Sequence, residues 1–356
     1  MNEIVYGDCL EEMAKMEANS ISCIVTDPPY GLKFMGKDWD HGIPGVAFWK
    51  ESIRVCKPGS HLLAFGGTRT YHRLTCAIED AGWEIRDCLM WIFGSGFPKS
   101  HNHFGMEGYG TALKPAYEPI IMAMKPCDGT FKNNAEKWGQ AGVNIDGCRI
   151  ATDDRLSIGS SNMGYQGTNN PRCNEQNLNG RWPANVLFDE EAAKMLDEQS
   201  GQSKSKDGGN SGKNANPMSW EEENKDRPRR SPNDSGGASR FFYCAKASSS
   251  ERNEGLDGFP AKERRPLGIS NWEGQTNGSG EVMGKSSPQK NFHPTVKPLK
   301  LMEYLIKLVM PPKDGILLDP FAGSGTTILA AKRLGLNAIG IEKCEEYSRI
   351  ARARIC

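Results

Sequence analysis

One carboxylate, two prolines and an aromatic ring follow directly on a short apolar run, at Asp27-Pro28-Pro29-Tyr30. The run, residues 21–26, predicts a buried strand, and the prolines must end it because they cannot extend a β-ladder. The strand therefore presents a carboxylate, a prolyl carbonyl and a ring at its carboxyl end, where open α/β sheets bind ligands. We call residues 27–30 the DPPY corner.

These groups suit catalysis on an exocyclic amino group of adenine or cytosine. The lone pair of such an amine is delocalised into the ring, which makes the nitrogen a poor nucleophile. Two acceptors on its two hydrogens would favour the pyramidal, nucleophilic form, and an aromatic face would hold the base by stacking. The base must leave the duplex to reach such a site. A Pro-rich turn with a helix-capping Asp is the alternative interpretation.

A glycine-rich stretch far along the chain predicts a cofactor cradle. Residues 315–319 predict a strand, residues 328–334 a helix, and the segment between them is a turn that we call, with Asp319, the Gly-rich turn (residues 319–327). Glycine lets a ligand approach the backbone, and a helix N-terminus supplies N–H donors. The turn has neither the lysine of a phosphate-binding loop nor the GxGxxG pattern of a dinucleotide site.

An acidic residue, Glu342, closes the next predicted strand, near the spacing expected for an acid that binds ribose hydroxyls. A cofactor with a ribose but no phosphates fits this combination best. S-adenosylmethionine is such a molecule, and its methyl group is what the DPPY corner would need. A tight turn without a ligand is the alternative.

Composition bounds the rest of the interpretation. The chain has 356 residues, enough for one large domain or two, and a formal net charge of zero, so nucleic-acid contacts must come from local patches. Its 11 Cys form no CxxC pair, which favours small buried hydrophobes in a reducing compartment and no metal site. We expect a cytoplasmic protein, because the sequence has neither a signal peptide nor an apolar run of roughly 18 residues.

Alternating strand and helix patterns occupy both ends of the chain. They cover residues 1–125 and return from residue 290, whereas residues 126–289 are rich in Gly, Asn, Ser and charged side chains. We therefore predict an α/β fold, a Rossmann-like sheet built from both chain ends, with an irregular central insert. Within the insert we expect parts of 200–238 and 264–290 to be mobile.

In this order, the DPPY corner and the Gly-rich turn resemble the motifs of DNA amino-methyltransferases that act on adenine N6 or cytosine N4. The catalytic motif precedes the cofactor motif, as in the beta-type, permuted members. Gly7-Asp8-Cys9-Leu10 is similar to the family's opening, and residues 293–298 (His-Pro-Thr-Val-Lys-Pro) to the segment before its cofactor motif. Residues 180–185 and 241–246 resemble stretches of phage and prophage members.

The resemblance implies a Rossmann-like, S-adenosylmethionine-dependent catalytic domain formed by residues 1–125 and 290–356. It implies that residues 126–289 are a target-recognition insert and that the partner is double-stranded DNA, as in restriction-modification systems. Many members are dimers, so a homodimer is an open alternative.

For the chemistry, the resemblance implies that Asp27 and the Pro28 carbonyl accept hydrogen bonds from the target amine while Tyr30 stacks on the flipped base. Trp91 lies where the family often has an aromatic residue in the base pocket, with an ordinary core residue as the alternative. Transfer would be direct and in line, without a covalent intermediate. His293 is expected to be structural rather than catalytic.

The cofactor-binding residues implied by the resemblance come from five stretches of the chain. Asp8 would lie near the adenine, Glu342 on the ribose, and Thr295 and Lys297 at the carboxylate. Phe321, Gly323 and Gly325 would lie beside the methionine portion. The full set is Asp8, Cys9, Asp27, Thr295, Lys297, Asp319, Phe321, Gly323, Gly325, Thr326 and Glu342.

Two basic clusters in the insert are candidate DNA contacts, since phosphate binding needs only a local patch. They are Arg227, Arg229 and Arg230, and Lys262, Arg264 and Arg265. A solvated run without a partner is the alternative for each.

Within methylation, Asp at the first position of the DPPY corner favours adenine N6, and cytosine N4 is the alternative. RNA or a protein glutamine would present similar hydrogens and form a further alternative. A catalytically silent DNA-binding protein is the rival of another class, and cofactor binding without methyl transfer would identify it.

Overall fold

The computed structural model describes residues 1–32, 42–96, 105–152, 180–204, 235–245, 251–261, 290–293, 295–312 and 315–356. They fall into two compact units. The first comprises Met1–Trp91, Tyr117–Asn144 and Ala245–Cys356, and the second Ile92–Ala116 and Ile145–Cys244. The insert expected at 126–289 stays a prediction, although residues 126–144 group with the first unit.

The strands are β1 (Asn2–Tyr6), β2 (Ile21–Thr26), β3 (Cys56–Phe65), β4 (Glu84–Ile92), β5 (Tyr117–Met124), β6 (Val186–Asp189), β7 (Ser203–Lys204), β8 (Ser235–Gly236), β9 (Tyr243–Ala245), β10 (Ile316–Asp319) and β11 (Asn337–Glu342). The helices are α1 (Cys9–Ala14), α2 (Val46–Val55), α3 (Tyr71–Asp80), α4 (Phe131–Trp138), α5 (Glu190–Ser200), α6 (Leu299–Val309), α7 (Thr326–Arg333) and α8 (Glu345–Ile355). Among the described residues, no helix has the length and apolarity to cross a bilayer.

In the first unit the strands lie in the order β1-β11-β10-β2-β3-β5-β4. The pairs from β1 to β3 are parallel, which confirms the predicted α/β sheet built from both ends of the sequence. The alternation of strands and helices predicts a parallel sheet, but β5 runs antiparallel to β3. A strand that runs parallel to the one before it needs a crossover connection, usually a helix. No helix is described between β4 and β5, which agrees with the reversed direction of β5.

The core of the first unit lies on the central strands. Every residue of β2 is buried, which is typical of a strand covered on both faces. On one side α2 and the segment after α3 contribute large apolar groups: Trp49 is fully buried, and the indole of Trp83 donates to the Trp49 backbone oxygen at 3.2 Å. The strand ends are thereby held on a rigid scaffold.

The second unit has a smaller apolar cluster around Phe188, Phe242 and α5. Asp189 caps this helix, since its carboxylate accepts the backbone N–H of Ala192 at 2.7 Å. β6 directly follows residues 180–185, and β9 lies within residues 241–246, the two stretches that resemble phage and prophage members. Most of the segments expected to be mobile lie outside the described residues.

The strands that carry the two motifs are direct neighbours. Leu318 of β10 pairs with Ile24 of β2 in parallel register, so both strands end at the same edge of the sheet. There Thr26 Oγ1 donates to Asp319 Oδ1 at 2.7 Å, across 293 residues of sequence. Asp319 is 2% exposed, and burial raises its pKa to about 6 despite hydrogen bonds from Thr327 and Thr26.

The Thr26 bond generates a stability prediction. Thr26→Val keeps the side-chain shape but leaves the buried carboxylate of Asp319 without one donor, and we expect it to lower the free energy of unfolding by about 1–3 kcal/mol. The bond favours ionised Asp319, so the loss should be larger at pH 8 than at pH 5, where the group is protonated.

Urea unfolding at the two pH values measures the difference. Thr26→Ser, which keeps the hydroxyl, is the matched control and should lose less at pH 8. Equal stability of the Val and Ser variants at pH 8 would contradict the assigned role of the hydroxyl.

Candidate functional site

A cavity of about 630 Å³ opens in the first unit where β2, β10 and β11 end. Its size lies within the range of small-molecule pockets. Residues from both ends of the sequence line it. Those predicted from the sequence as cofactor-binding and found in its wall are Asp8, Cys9, Asp27, Thr295, Lys297, Asp319, Phe321, Gly323, Thr326 and Glu342.

The DPPY corner follows β2 as predicted, and Asp27 forms part of the cavity wall. Tyr30 Oη donates to Asp27 Oδ1 at 2.7 Å, and Thr70 Oγ1 donates to the Tyr30 carbonyl at 2.7 Å. Pro28 is buried, whereas Pro29 lines the cavity. Burial and the nearby charge of Asp27 raise the pKa of Tyr30 well above its usual value. The phenol is therefore a hydrogen-bond donor and not a base.

Lys297 lies against the DPPY corner. Its ammonium is 2.9 Å from Asp27 Oδ2 and 2.9 Å from Glu118 Oε2, and it lies 3.2 Å from Tyr30 Oη. Both oxygens of Asp27 thus have a partner within the protein. The resemblance predicts that Lys297 holds a cofactor carboxylate, and in this structure its charge faces two protein carboxylates.

The Gly-rich turn is shaped by hydrogen bonds and by two glycines with positive φ. The backbone N–H of Phe321 donates to Asp319 Oδ1 at 3.1 Å, and that of Gly325 donates to the Ala322 carbonyl at 2.7 Å. Gly323 has a φ of 54°, and a Cβ there would lie 2.8 Å from His293 Nε2. Gly325, with a φ of 77°, is the N-cap of α7. Side chains at either position would be strained.

Glu342 closes the side of the cavity opposite the DPPY strand. Its Oε2 accepts the Gly323 N–H at 2.8 Å, and its Oε1 accepts the Cys344 N–H at 2.7 Å. Burial raises its pKa to about 7, although both backbone donors act in the other direction. A carboxyl group near its titration point therefore faces the cavity at neutral pH.

Asp8 and Cys9 form the wall at the start of α1. Asp8 caps this helix through the Leu10 N–H at 3.0 Å and pairs with Lys343 at 3.0 Å, and this lysine lowers the pKa of the carboxyl. Burial raises the pKa of Cys9 to about 11, so it lines the cavity as a neutral thiol.

His293 lines the same cavity. The sequence predicts a structural role for it and not a catalytic one. Its ring lies 4.5 Å from that of Tyr347, and Arg252 donates to its backbone carbonyl. Burial lowers the imidazole pKa to about 3, with a further contribution from the charge of Arg252, so the ring is neutral. A neutral ring at the Gly323 backbone is consistent with a packing role.

Four of the predicted residues, Pro28, Tyr30, Trp91 and Gly325, are not among the residues that line the cavity, and their predicted roles stay predictions. The six basic residues predicted to bind DNA, Arg227, Arg229, Arg230, Lys262, Arg264 and Arg265, lie outside the described residues.

Sequence reasoning missed Glu118, Lys343 and Tyr347. Lys343 and Tyr347 line the cavity just after Glu342, where the spacing alone carries no signal. Glu118 offered one: it is an acidic residue at the start of an apolar strand. Among the described residues, no group of three His, Cys, Asp or Glu side chains has the geometry to hold a metal ion.

In the described part of the second unit, arginines stack on aromatic rings. The guanidinium of Arg149 lies 5.4 Å from the ring centre of Trp182, and those of Arg181 and Arg240 lie 4.8 Å and 4.2 Å from that of Phe241. Trp182 is 65% exposed. Exposed rings beside arginines suit nucleic-acid contacts through stacking and charge.

The chain is similar to DNA methyltransferases over most of its length. The DNA methylase family, N6_N4_Mtase, matches residues 21–353. The type II methyltransferase M.HpaI of Haemophilus parainfluenzae is 23% identical over 99% of this chain and 73% of its own length. M.HindIII of Haemophilus influenzae is 50% identical over 20% of this chain and 22% of its own length. M2.LlaDCHI of Lactococcus lactis subsp. cremoris is 43% identical, over 22% and 28%.

The chain thus matches less than a third of the length of two of these relatives. A solved structure, the PvuII DNA methyltransferase (cytosine-N4-specific), matches with a TM-score of 0.51 at 17% identity, over all of this chain and 87% of that one. At this identity the likeness shows the fold. The family match covers far more than half of the sequence and agrees with the motifs that meet at the cavity, so the chain belongs to the N6/N4 DNA methylase family.

Proposed function

We propose that this protein transfers a methyl group from S-adenosylmethionine to the exocyclic amine of a base in double-stranded DNA, with adenine N6 as the favoured target. The observation that carries this proposal is the single cavity shared by the two motifs: Asp27 and the Gly-rich turn both line it. A corner suited to an amine and a cradle suited to a nucleoside cofactor are therefore within reach of one small molecule.

The residues of the cavity fit the cofactor. The Glu342 carboxyl group can accept from ribose hydroxyls, and its bond from the Gly323 N–H holds it beside the Gly-rich turn in the cavity wall. We assign Asp8 and Cys9 to the adenine side, Phe321, Gly323 and Thr326 to the methionine side, and Thr295 to the carboxylate, while Gly325 shapes the turn as the N-cap of α7. When bound, the cofactor supplies an electrophilic methyl group on a sulfonium that leaves as a neutral thioether.

The chain's own groups act on the target amine. Asp27 and the Pro28 carbonyl accept hydrogen bonds from its two N–H groups, which frees the nitrogen lone pair for attack, and the Tyr30 ring stacks on the base. The new N–C bond forms as the S–C bond breaks, and the nitrogen then releases one proton to solvent. In the described structure the Tyr30 hydroxyl occupies Asp27 Oδ1 at 2.7 Å, so the amine must share or replace this donor. The remaining contribution is positioning in a site shielded from water.

DNA supplies the base, which must be flipped out of the duplex. The arginine and aromatic pairs around Trp182 and Phe241 support a DNA-contacting role for the second unit. The basic clusters predicted at residues 227–230 and 262–265 remain proposals. A homodimer and a cytoplasmic location also remain proposals.

Cytosine N4 is the second candidate target, and one observation favours it: the PvuII enzyme that shares the fold is cytosine-N4-specific. Asp at the start of the DPPY corner favours adenine. RNA or protein substrates would keep the chemistry and change the partner, whereas a silent DNA-binding protein would bind the cofactor without transfer.

The direct test is methyl transfer from labelled S-adenosylmethionine to unmodified duplex DNA, followed by mass spectrometry of the nucleosides. We expect N6-methyladenine, and Asp27→Asn should lower the rate roughly 100- to 1,000-fold because a charged acceptor is lost. Label in N4-methylcytosine would move the target base. Cofactor binding without label in DNA would refute the proposal.

The Tyr30 ring and hydroxyl make separable predictions. Tyr30→Phe keeps the stacking face and releases Asp27 Oδ1, so its kcat/KM should stay within about threefold of the wild type. Tyr30→Ala should lower kcat/KM roughly 5- to 150-fold, the range expected for a lost base–aromatic stack. Steady-state methylation of one oligonucleotide measures both. A Phe variant as poor as the Ala variant would assign the role to the hydroxyl.

The raised pKa of Glu342 predicts a pH-dependent cofactor affinity. Ribose hydroxyls donate to the ionised carboxylate, so binding lowers a pKa that is about 7 in the free protein. Affinity should therefore rise roughly threefold to tenfold from pH 5.5 to pH 7.5 and then level off. Isothermal calorimetry across this range measures it.

Glu342→Gln is the matched control, because it keeps the shape and cannot titrate. The variant should bind the cofactor more weakly. Its affinity should rise less between pH 5.5 and pH 7.5 than that of the wild type, because only Asp319 still titrates in this range. Parallel pH profiles for the two proteins would remove Glu342 from the ribose site.

A further inference from the structure

Three charged side chains meet behind the DPPY corner, with Lys297 between two carboxylates. The lysine is 2.9 Å from Asp27 Oδ2 and 2.9 Å from Glu118 Oε2. The side chains are 9%, 20% and 26% exposed for Lys297, Asp27 and Glu118. This is a largely buried ion cluster, in which removal of one member leaves the others poorly compensated.

The ammonium of Lys297 is held in place from several directions. It lies 4.7 Å from the ring centre of Phe65 and 5.6 Å from that of Tyr30, distances at which a cation is attracted to an aromatic face. Burial lowers its pKa, but the charges of Asp27 and Glu118 outweigh burial and raise it. Lys297 is therefore a permanent cation.

Glu118 differs from its two neighbours in one respect. Asp27 and Lys297 line the cavity, whereas Glu118, at the start of β5, is not among the lining residues. It reaches the site through its ion pair with Lys297, and its charge also raises the pKa of Tyr30. Without Glu118, a single lysine would face a single catalytic carboxylate, and the pair would be neutral. With Glu118, the cluster carries a formal charge of minus one.

We propose that Glu118 is a positioning residue for methyl transfer: it anchors Lys297 so that Asp27 keeps its orientation, and it gives the cluster the net negative charge that faces the cationic methyl donor. The proposal rests on the proposed function. It assigns Lys297 to the Asp27 carboxylate and not to the carboxylate of the cofactor.

The net charge of the cluster makes a prediction that does not depend on catalysis. S-adenosylmethionine carries a positive sulfonium, and S-adenosylhomocysteine has a neutral sulfur at the same place. A cluster of charge minus one favours the first over the second, and a neutral cluster does not. The ratio of the two dissociation constants therefore reports the charge, whereas a general loss of structure would weaken both ligands alike.

Calorimetric titration of the full chain with each ligand tests this. Glu118→Gln makes the cluster neutral, and we expect its preference for S-adenosylmethionine to fall about threefold to tenfold. The double variant Glu118→Gln/Lys297→Met returns the charge to minus one and should restore the wild-type ratio. Glu136→Gln is the matched control, since this glutamate is 67% exposed on α4 and pairs with Lys132 at 3.9 Å.

Single-turnover methylation of DNA measures the positioning role. Glu118→Gln and the double variant should both lower the transfer rate about tenfold or more with little change in KM for DNA, because Lys297 loses its anchor in the first and Asp27 loses Lys297 in the second. Glu118→Asp keeps the charge and should recover most of the rate. If Glu118→Gln does not fold, the double variant and Glu118→Asp carry the test. Both should keep the wild-type ratio of dissociation constants, and only Glu118→Asp should keep a high transfer rate.

A Glu118→Gln protein with the wild-type ratio and rate would overturn the inference, as would a double variant that fails to restore the ratio. These results differ from a failure of the proposed function. If the wild-type protein methylates no DNA but Glu118→Gln still shifts the ratio of the two dissociation constants, the proposed function is refuted and the charge assignment stands.

Discussion

A buried hydrogen bond from Thr26 to Asp319 joins two parts of the chain that are 293 residues apart, and the candidate site depends on it. Each residue ends its strand, and each is followed by a motif. Because the two strands are parallel neighbours, the motifs emerge side by side at one edge of the sheet. The same carboxylate also accepts the N–H of Phe321 and so sets the start of the Gly-rich turn. Strand order, more than any local signal, creates the cavity.

Much of the fold was predictable because its signals are local. The buried strand at Ile21–Thr26 follows from a short apolar pattern, and the structure has it. The reversal of β5 was not predicted, because orientation depends on pairing with β3 and not on the residues of β5 themselves. β3 begins at Cys56 and so includes Pro58-Gly59, a pair that favours a turn. Pairing with the neighbouring strands β2 and β5 keeps this segment extended despite its local preference.

The residues of the candidate site could be predicted from the sequence, whereas the side chains that they contact could not. The ten cofactor-binding candidates in the cavity wall were found from motifs and resemblance. The contact of Lys297 with Glu118 could not be found that way, because it joins a loop near one end of the chain to a strand in the middle. Side-chain ion pairs between distant segments leave no periodic trace in a sequence.

The cavity has walls of different electrostatic character. On the side of Glu342 and Asp319, burial raises both carboxyl pKa values towards neutrality, to about 7 and about 6. On the other side a lysine holds two carboxylates in a cluster of fixed charge. A cationic ligand between these walls meets a permanent anion on one side and adjustable hydrogen-bond acceptors on the other.

The pairing of β1 with β11 has a consequence for biosynthesis. Asn2 lies beside Ala338, and β10 fills the place between β11 and β2, so β1 and β2 are made long before the strands that pair with them. Until then β2, buried along its whole length in the folded sheet, has an open edge that must be shielded from other chains. The DPPY corner is made early and the Gly-rich turn late. Until β10 and β11 are in place, a nascent chain holds the tetrapeptide without the second wall of the cavity.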